Sequence, residues 1–386
     1  MPTVLIAPNA FKGALDAESA AQAIARGVAA VDPDWPLVLC PLSDGGEGFI
    51  RALVAARGGT LETAPTTNAR GFAIEAPYGV LDGGRTVVVE LSSAAGLAQL
   101  PSSERDPLVT TTFGVGCLIA EAYRRQRFTR LLLALGGSAT VDGGAGLLEA
   151  LGVRFLDDRG APLPRGGGGL ARLARVETAD ASPVLQAAEI LVAVDVTNPL
   201  LGPRGAARVY GPQKGAGPAQ VEALEAALGR YADLLEKACG RRVADLPGAG
   251  SAGGVPTGLL SLANARMEPG FAIVAEAVGL DAKLDAAALV LTGEGQLDDQ
   301  SFEGKVIGRL AERCHERALP LVALCGAVTP AGETGLAASG GAAFSIVRGP
   351  MREAEAIAQT PALLERAAAA VARLVRPWLA APQRLC

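Results

Sequence analysis

Short apolar runs recur along the chain, and each ends in a turn that leads into an alanine-rich amphipathic segment. The runs have the length of strands and are nearly continuous, which is typical of parallel strands buried on both faces of a sheet. The runs read TVLIAP, PLVLCPL, RLLLALGG, ILVAVDV, ALVLTG, PLVALCG and AAFSIV. Because helical segments alternate with them, the pattern predicts an α/β fold with a Rossmann-like, doubly wound sheet.

One region breaks this rhythm. From Leu61 to Leu91 polar and apolar residues alternate, and the letters DGG separate two such runs as a hairpin turn would. This indicates antiparallel strands in a second α/β domain. The simplest partition joins the first two and the last three predicted strands in one sheet. We therefore expect a discontinuous Rossmann-like domain of residues 1–61 and 285–386, interrupted by an inserted domain of residues 62–284.

The composition narrows the functional classes. The 386 residues carry a net charge of -5 and only 4% aromatic side chains, which offers little charge attraction or base stacking to nucleic acid. The apolar runs are far shorter than the roughly 20 residues of a membrane helix, and the start MPTVLIAPNAFKG lacks an export signal. Six cysteines without a CxxC pair suggest reduced thiols. We expect a cytoplasmic protein that binds neither nucleic acid nor membrane.

A single histidine, His315, limits the possible chemistry. It lies in IGRLAERCHERAL, an amphipathic pattern that predicts a helix, so we expect a surface or packing role for it. Ser-His-Asp catalysis, Cys-His catalysis and His-rich metal sites are therefore disfavoured. We expect any chemistry to rely on carboxylates, lysine and backbone amides.

The turns after the apolar runs share one chemistry. They read PNAFKG, SDGGEG, GGSATVDGG, DVTNP and LTGEGQLDDQSFEGK, which are rich in glycine, acidic groups, Ser/Thr and lysine. In open α/β sheets, ligands bind at the carboxyl ends of the strands. Glycine turns and helix starts suit an anion, and carboxylates can hold Mg²⁺ or accept a proton, so the combination suits phosphoryl transfer. The chain has no GxxxxGK[ST] motif, which disfavours a P-loop enzyme.

These turns lie in blocks that resemble the glycerate kinase family of the bacterial type 1, the glycerate 2-kinases. The resemblance runs nearly end to end, over Ala7–Gly27, Leu42–Phe49, Val89–Leu97, Arg105–Gly116, Leu135–Gly152, Asp195–Ala206, Pro212–Ala216 and Leu291–Lys305. The chain departs from the family at Ala10 and Val141, where a serine and an asparagine are usual. We therefore expect no polar role at either position.

The resemblance implies an enzyme that transfers phosphate from ATP to D-glycerate, usually giving 2-phosphoglycerate. It also implies a two-domain α/β protein with the active site in the cleft between the domains. Other readings are a kinase that forms 3-phosphoglycerate, a kinase for a related small hydroxy acid, a phosphatase, and a non-enzymatic sugar-acid or nucleotide sensor. We expect a monomer or a homodimer.

Chemistry suggests roles for the residues in these turns. We predict that Lys12 contacts the transferring phosphate or the substrate carboxylate. Asp195 is the first candidate to accept the proton of the substrate hydroxyl, and Asp44 is the next. Glu294 and Asp298 are predicted to hold Mg²⁺.

Three further expectations concern ATP, the substrate and a helix cap. Residues predicted to contact ATP are Gly136, Gly137, Ser138, Gly293, Gly295 and Lys305. Residues predicted to contact the substrate are Arg70, Asn198, Ser301 and Lys214. We expect Asp299, unlike Asp298, only to cap a helix that starts near Ser301.

Overall fold

The structure is a computed structural model and describes residues 3–46 and 48–380. Glu47, which belongs to the SDGGEG turn, lies outside the described residues. So do the outermost positions of the predicted domain formed by residues 1–61 and 285–386.

The strands are short and spread along the whole chain. They are β1 (Thr3–Ile6), β2 (Leu37–Leu39), β3 (Thr60–Thr67), β4 (Ala73–Leu81), β5 (Thr86–Glu90), β6 (Arg130–Ala134), β7 (Arg154–Leu156), β8 (Arg175–Glu177), β9 (Glu189–Ala193), β10 (Ala265–Glu268), β11 (Ala287–Thr292), β12 (Gln296–Leu297), β13 (Leu321–Cys325), β14 (Ala327–Val328) and β15 (Ala342–Ser345).

Helices separate most of these strands. They are α1 (Ala17–Ala29), α2 (Phe49–Arg57), α3 (Ser92–Ala95), α4 (Phe113–Gln126), α5 (Ala145–Ala150), α6 (Val184–Ala187), α7 (Ala206–Tyr210), α8 (Pro218–Cys239), α9 (Ser251–Leu262), α10 (Gly270–Ala277), α11 (Leu280–Asp285), α12 (Val306–Glu316), α13 (Pro330–Ala338) and α14 (Glu353–Ala380).

The first compact unit comprises Met1–Asp44 and Phe271–Cys386. Its sheet has the order β15-β13-β11-β1-β2, and every neighbouring pair is parallel. Within this unit the order along the chain is therefore 2-1-3-4-5, the flavodoxin-like form of a doubly wound sheet. The prediction that the first two and the last three strands share a sheet is confirmed.

Helices α1 and α14 pack together on one face of this sheet. The α1 helix begins after Asp16, whose carboxylate accepts a hydrogen bond from the Ser19 amide at 2.7 Å. Gly27 lies where a Cβ would collide with the backbone of Glu365, so the glycine allows the close approach of α14. The core formed here contains Val4, Ile6, Ala20, Ile24, Leu289, Leu291, Leu364 and Ala368. Burying each Val, Leu or Ile side chain contributes about 1.5–3 kcal/mol, and each alanine contributes less.

Helix α12 packs against β13 of the same sheet. Its buried residues include Ile307 and Leu310, at the spacing of an amphipathic helix. His315 is exposed on this helix, as the sequence predicts.

The second compact unit comprises Gly45–Gly270. Its sheet has the order β10-β9-β6-β5-β4-β3, with parallel pairs from β10 to β5 and antiparallel pairs from β5 to β3. The turn Asp82–Gly84 joins β4 to β5. The α/β fold class and the antiparallel region are therefore confirmed.

Both faces of the central strands of this second sheet are buried. Val87, Val89 and Leu133 belong to one apolar cluster, and the alternate residues Val88 and Leu132 are buried as well. This explains why the sequence of these strands is continuously apolar rather than alternating. Because β3 and β5 run in the same direction, the turn after β3 lies at the same edge as the carboxyl ends of β5, β6 and β9.

The unit boundaries lie at residues 44 and 270, whereas the sequence suggested 61 and 284. Helix α2 belongs to the second unit because it packs against β3, β4 and β5 of that unit. Its buried residues include Phe49 and Leu53. Helices α10 and α11 contribute to the first unit. There, Arg313 lies over the Phe271 ring and pairs with Asp281. None of these three helices has the sequence pattern of a strand, so no local pattern marks the two boundaries.

Within residues 3–46 and 48–380, no helix is both long enough and apolar enough to cross a membrane.

Candidate active site at the carboxyl ends of the strands

In the first unit, the loops after β1 and β11 meet. The strand order reverses between these two strands, which is where doubly wound sheets bind ligands. The Asn9 amide donates to the carbonyl oxygen of Gly293 at 2.9 Å. The amide nitrogen of Lys12 lies 3.5 Å from the place that a Cβ would take at Gly295. Lys12 itself is exposed, so its ammonium can reach a ligand at this edge.

Glu294, directly after β11, is a buried carboxyl group. It is 7% exposed, and the Ser301 hydroxyl donates to its Oε1 at 2.6 Å. Burial raises the pKa of Glu294 to about 7, and the charges of Asp44 and Asp298 also raise it. The Ser301 hydrogen bond and the Lys305 charge lower the same pKa. Near neutral pH this carboxyl group can therefore bind either a proton or a cation.

Asp298 lies close to Glu294 and has one carboxylate oxygen without a hydrogen bond. Its Oδ2 accepts from the side-chain amide of Gln296 at 3.0 Å, whereas its Oδ1 is buried without a partner. The Asp298 amide donates to Oγ of Ser301 at 3.2 Å. Ser301 therefore links the carboxylate of Glu294 to the backbone amide of Asp298, the two residues that the sequence assigned to metal. A buried acceptor without a partner is costly, and a cation would satisfy it.

Two carboxylates are the protein contribution that a magnesium site usually has. Mg²⁺ is commonly held by one or two carboxylates, while water and substrate phosphates complete its octahedral shell. In the part of the chain that the structure describes, no group of three or more His, Cys, Asp or Glu side chains could hold a metal ion. Glu294 and Asp298 therefore suit Mg²⁺ bound together with a phosphate ligand, rather than an all-protein cage.

The expectation about the helix cap was wrong. Asp298, not Asp299, occupies the N-cap position of a short 3₁₀ turn, Asp299–Phe302. The following helix, α12, begins only at Val306, and its N-cap residue is Lys305. Two adjacent aspartates give the same capping signal in the sequence, and the backbone conformation alone selects one of them.

In the second unit, three of the predicted turns converge. The Gly136 amide donates to the carbonyl oxygen of Gly45 at 3.1 Å. A Cβ at Gly136 would lie 2.6 Å from Cα of Gly46, and a Cβ at Gly45 would lie 3.2 Å from Oδ2 of Asp195. Glycine is required for this close approach. The Gly270 amide donates to Oδ1 of Asp195 at 2.9 Å and fixes that carboxylate after β9.

Lys214 and Ser138 lie together beneath the turn that follows β6. Lys214 is 2% exposed, and its Nζ donates to Oγ of Ser138 and to the carbonyl oxygen of Thr140, each at 2.7 Å. Burial lowers the pKa of Lys214 to about 7, and the charge of Asp142 counteracts part of this effect. This buried position favours a role in holding the turn. Gly137, in the same turn, has a φ of 72°, a conformation that favours glycine.

Asp142 was not selected from the sequence, although it organises the end of this turn. Its carboxylate is buried and accepts hydrogen bonds from the Thr112 amide at 2.8 Å and from the Thr112 hydroxyl at 2.9 Å. The Gly144 amide donates to it at 3.2 Å. Burial raises the pKa of Asp142, and these hydrogen bonds lower it. In the sequence it is marked by an aspartate before two glycines, a pattern that also fits an ordinary turn.

Two other residues predicted to contact the substrate, Arg70 and Asn198, differ in whether their polar side-chain atoms are accessible to a ligand. Arg70 is exposed in the turn after β3, at the same sheet edge as the turns after β6 and β9. Both polar atoms of the Asn198 side-chain amide are hydrogen-bonded. Its Nδ2 donates to the Arg204 carbonyl at 2.8 Å, and its Oδ1 accepts from the Tyr210 hydroxyl at 2.7 Å.

One cavity lies elsewhere in the second unit. It has a volume of about 200 Å³ and is lined by residues of α5 and β7 and by residues 162–166. Its polar wall contains the ion pair between Arg165 and Glu149 at 3.1 Å. None of the predicted site residues lines it, so it is separate from the strand-end turns.

Comparison with known proteins identifies the family. A profile of the glycerate kinase family matches residues 4–376. The glycerate kinase of Halalkalibacterium halodurans is 38% identical over 378 residues, which cover 98% of this chain and 99% of that protein. The glycerate 2-kinase of Escherichia coli K12 is 40% identical over 329 residues, which cover 84% of this chain and 85% of that protein.

A solved structure agrees with these relatives. It is a crystal structure from Salmonella typhimurium LT2 of a protein provisionally assigned as glycerate kinase 2. It matches with a TM-score of 0.85 and 36% sequence identity, and covers 98% of this chain and 99% of that chain. Membership of a kinase family implies that the protein uses ATP. The fold, the profile and the relatives together show that the chain is an enzyme, a kinase that belongs to the glycerate kinase family.

Proposed function

We propose that the protein phosphorylates the 2-hydroxyl group of D-glycerate, using ATP with Mg²⁺, and releases 2-phosphoglycerate. The observation that carries this proposal is that turns with acidic groups, glycine and lysine meet at the carboxyl edge within each sheet. The 2-position is supported by the relative named glycerate 2-kinase, which is 40% identical.

Glu294 and Asp298 are proposed to hold Mg²⁺. The buried, unpartnered Oδ1 of Asp298 and the raised pKa of Glu294 both indicate a place where a cation would be stabilised. When bound, Mg²⁺ neutralises charge on the phosphates of ATP. The Ser301 hydroxyl holds the Glu294 carboxylate in one orientation through its 2.6 Å hydrogen bond.

Asp195 is proposed as the base. In the reaction, the substrate oxygen forms a bond to the γ-phosphorus, and the bond between that phosphorus and the β,γ-bridging oxygen breaks. ADP leaves with the bond's electron pair, and the hydroxyl proton passes to the Asp195 carboxylate. The Gly270 amide holds Oδ1 of Asp195, so the two carboxylate oxygens differ in their surroundings. Asp44 is the second candidate for this role.

The phosphates are proposed to contact glycine turns and two lysines. In the second unit, Gly136, Gly137 and Ser138 form a tight turn after β6. The Gly136 amide is bonded to the Gly45 carbonyl oxygen and only holds the turn, so the amides of Gly137 and Ser138 are proposed to donate to the phosphates. In the first unit, Gly293 and Gly295 form the turn after β11. The exposed Lys12 and the half-buried Lys305 of the same unit supply positive charge.

The substrate carboxylate is proposed to pair with Arg70. Arginine suits a carboxylate because its planar fork can donate two parallel hydrogen bonds. The exposed position of Arg70 in the turn after β3 leaves it accessible to a small acid. Asn198 and Ser301, whose polar atoms already have partners, are proposed to orient their loops.

The test is turnover of a panel of hydroxy acids. The purified protein is supplied with ATP, Mg²⁺ and either D-glycerate, L-glycerate or tartronate, and ADP release is measured. Phosphorus NMR of the product then locates the phosphate, because a 2-phosphate couples to one carbon-bound proton and a 3-phosphate couples to two. We expect D-glycerate to be preferred and the phosphorus signal to be a doublet.

Other outcomes identify the competing functions. A triplet would show the 3-phosphate product and would contradict the proposed position of transfer. Preference for tartronate would indicate a kinase for a related acid. Tight binding of glycerate or ATP without ADP release would indicate a sensor and would contradict catalysis.

A further inference from the structure

A lysine ammonium is buried in the second unit directly beneath the proposed phosphate-binding turn. Lys214 ends a short 3₁₀ turn, Pro212–Lys214, and is 2% exposed. Burying a charged ammonium is costly unless the group is well paired. Its Nζ donates two 2.7 Å hydrogen bonds, to Oγ of Ser138 and to the carbonyl oxygen of Thr140. Both acceptors belong to the turn after β6, so both hydrogen bonds of the lysine hold that turn.

The groups around this lysine come from several elements. Asp142 interacts with Lys214 electrostatically. Tyr231 on α8 faces Asp142 and donates to the carbonyl oxygen of Gly143 at 3.1 Å. The backbone of Arg105 packs against Gly215, the residue after the lysine, while the Arg105 guanidinium donates to the carbonyl oxygen of Leu100, on its own loop. Asp142 is thus the buried negative charge that faces the Lys214 ammonium.

The two charges hold the two halves of one loop. Lys214 fixes Ser138 and Thr140, and Asp142 fixes the following segment through Thr112 and the Gly144 amide. A glycine-rich loop has many conformations when nothing holds it. Amides that already point at the position of a developing charge stabilise that charge without reorganisation. A loop fixed from the interior therefore provides preorganised donors at its outer side.

We propose that Lys214 is a positioning residue for phosphoryl transfer, which fixes the turn Gly136–Thr140 from the protein interior without touching a ligand. This inference rests on the proposed function, in which that turn binds the phosphates of ATP. The hydrogen bonds are strongest when the amine carries its charge. Loss of the proton weakens both of them, so the turn becomes more mobile as pH rises through the pKa of Lys214.

The first measurement is hydrogen exchange of the backbone amides from Gly136 to Asp142 in ligand-free protein. Rates are corrected for the intrinsic effect of pH on exchange. In Lys214→Met we expect these amides to exchange about tenfold faster than in the wild type, because two charge-assisted hydrogen bonds are lost. We expect the wild type to show a similar increase between pH 6 and pH 9, and the variant to show no such pH response.

Kinetics provide a second readout. We expect Lys214→Met to raise KM for ATP and lower kcat by about tenfold each, while KM for glycerate changes less. Lys237→Met is the matched control, because Lys237 is exposed on α8. It should leave exchange and both kinetic constants unchanged. If Lys214→Met does not fold, Ser138→Ala removes one acceptor alone and should still increase exchange of the same amides.

Two results would overturn the inference. One is equal exchange of these amides in the wild type and in folded Lys214→Met. The other is a variant with lower thermal stability but unchanged kcat and KM, since a purely structural lysine would behave in that way. If the wild type does not phosphorylate glycerate, the proposed function fails instead, and the exchange data still decide whether Lys214 holds the turn.

Discussion

The Ser301 hydroxyl donates a 2.6 Å hydrogen bond to Oε1 of Glu294, a carboxyl group that is 7% exposed. The same Ser301 oxygen accepts the backbone amide of Asp298 at 3.2 Å. One small side chain thus joins two acidic residues that would otherwise repel each other. The arrangement keeps a buried acid beside a second acid, which costs stability and is useful where a cation binds.

Replacing Glu294 by glutamine should change how stability depends on pH. The pKa of Glu294 is raised from 4.5 to about 7, so its contribution to stability is fully present below 4.5 and is lost as pH rises through 7. A shift of this size corresponds to about 3 kcal/mol. In metal-free buffer, we expect the Tm of the wild type to fall relative to that of Glu294→Gln between pH 5 and pH 8. Parallel Tm curves would contradict the raised pKa.

Replacing Asp298 by asparagine should weaken the response to magnesium. The variant removes the negative charge that we assign to the metal, and Oδ1 has no protein partner to lose. We expect the Mg²⁺ concentration for half-maximal turnover to rise about tenfold or more. Asp299→Asn is the matched control, because Asp299 is the exposed neighbour. Equal Mg²⁺ requirements in both variants would remove Asp298 from the metal site.

Asp195→Asn should lose most of its turnover and keep its fold. The asparagine oxygen can still accept the Gly270 amide, but the side chain can no longer take a proton at neutral pH. We expect kcat to fall by roughly 10²–10⁴-fold. The check is kcat together with Tm. A variant with near wild-type kcat would transfer the role of base to Asp44.

Lys12→Ala should depress kcat by roughly 10²-fold, the usual effect of removing a group that stabilises transition-state charge. Lys12 is exposed, so Tm should change little. The comparison is Lys237→Ala, which removes an exposed lysine on α8 and should leave kcat unchanged. Similar kcat values for the two variants would place Lys12 outside the reaction.

Gly136→Ala should destabilise the protein and impair turnover. A Cβ there would lie 2.6 Å from Cα of Gly46 and 2.9 Å from the carbonyl oxygen of Gly45, so the backbone has to move. Overpacking of this kind costs about 1–3 kcal/mol. At Gly229, inside α8, a Cβ has open space with only Leu201 at 3.9 Å. Gly229→Ala should therefore raise Tm slightly, and equal Tm changes in both variants would refute the packing argument.

The sequence by itself determined the architecture. Continuous apolar runs predicted buried parallel strands, and the alternating segment from Leu61 to Leu91 predicted the antiparallel part. These patterns are local, because a strand buried on both faces has to be apolar at every position. The residue types in the turns could also be predicted, because glycine, acidic residues and lysine directly follow the apolar runs in the sequence.

Only the tertiary structure decided which of these groups meet. Asp142 gave no signal beyond a turn, yet it is buried and bonded to Thr112, a residue distant in sequence. Lys214 read as an available cation, and its burial beneath Ser138 comes from the packing of a segment far along the chain. Burial and long-range pairing set the pKa values and the free hydrogen-bonding atoms. A local sequence pattern predicts neither burial nor long-range pairing, because both depend on which distant residues pack next to a group in the folded protein.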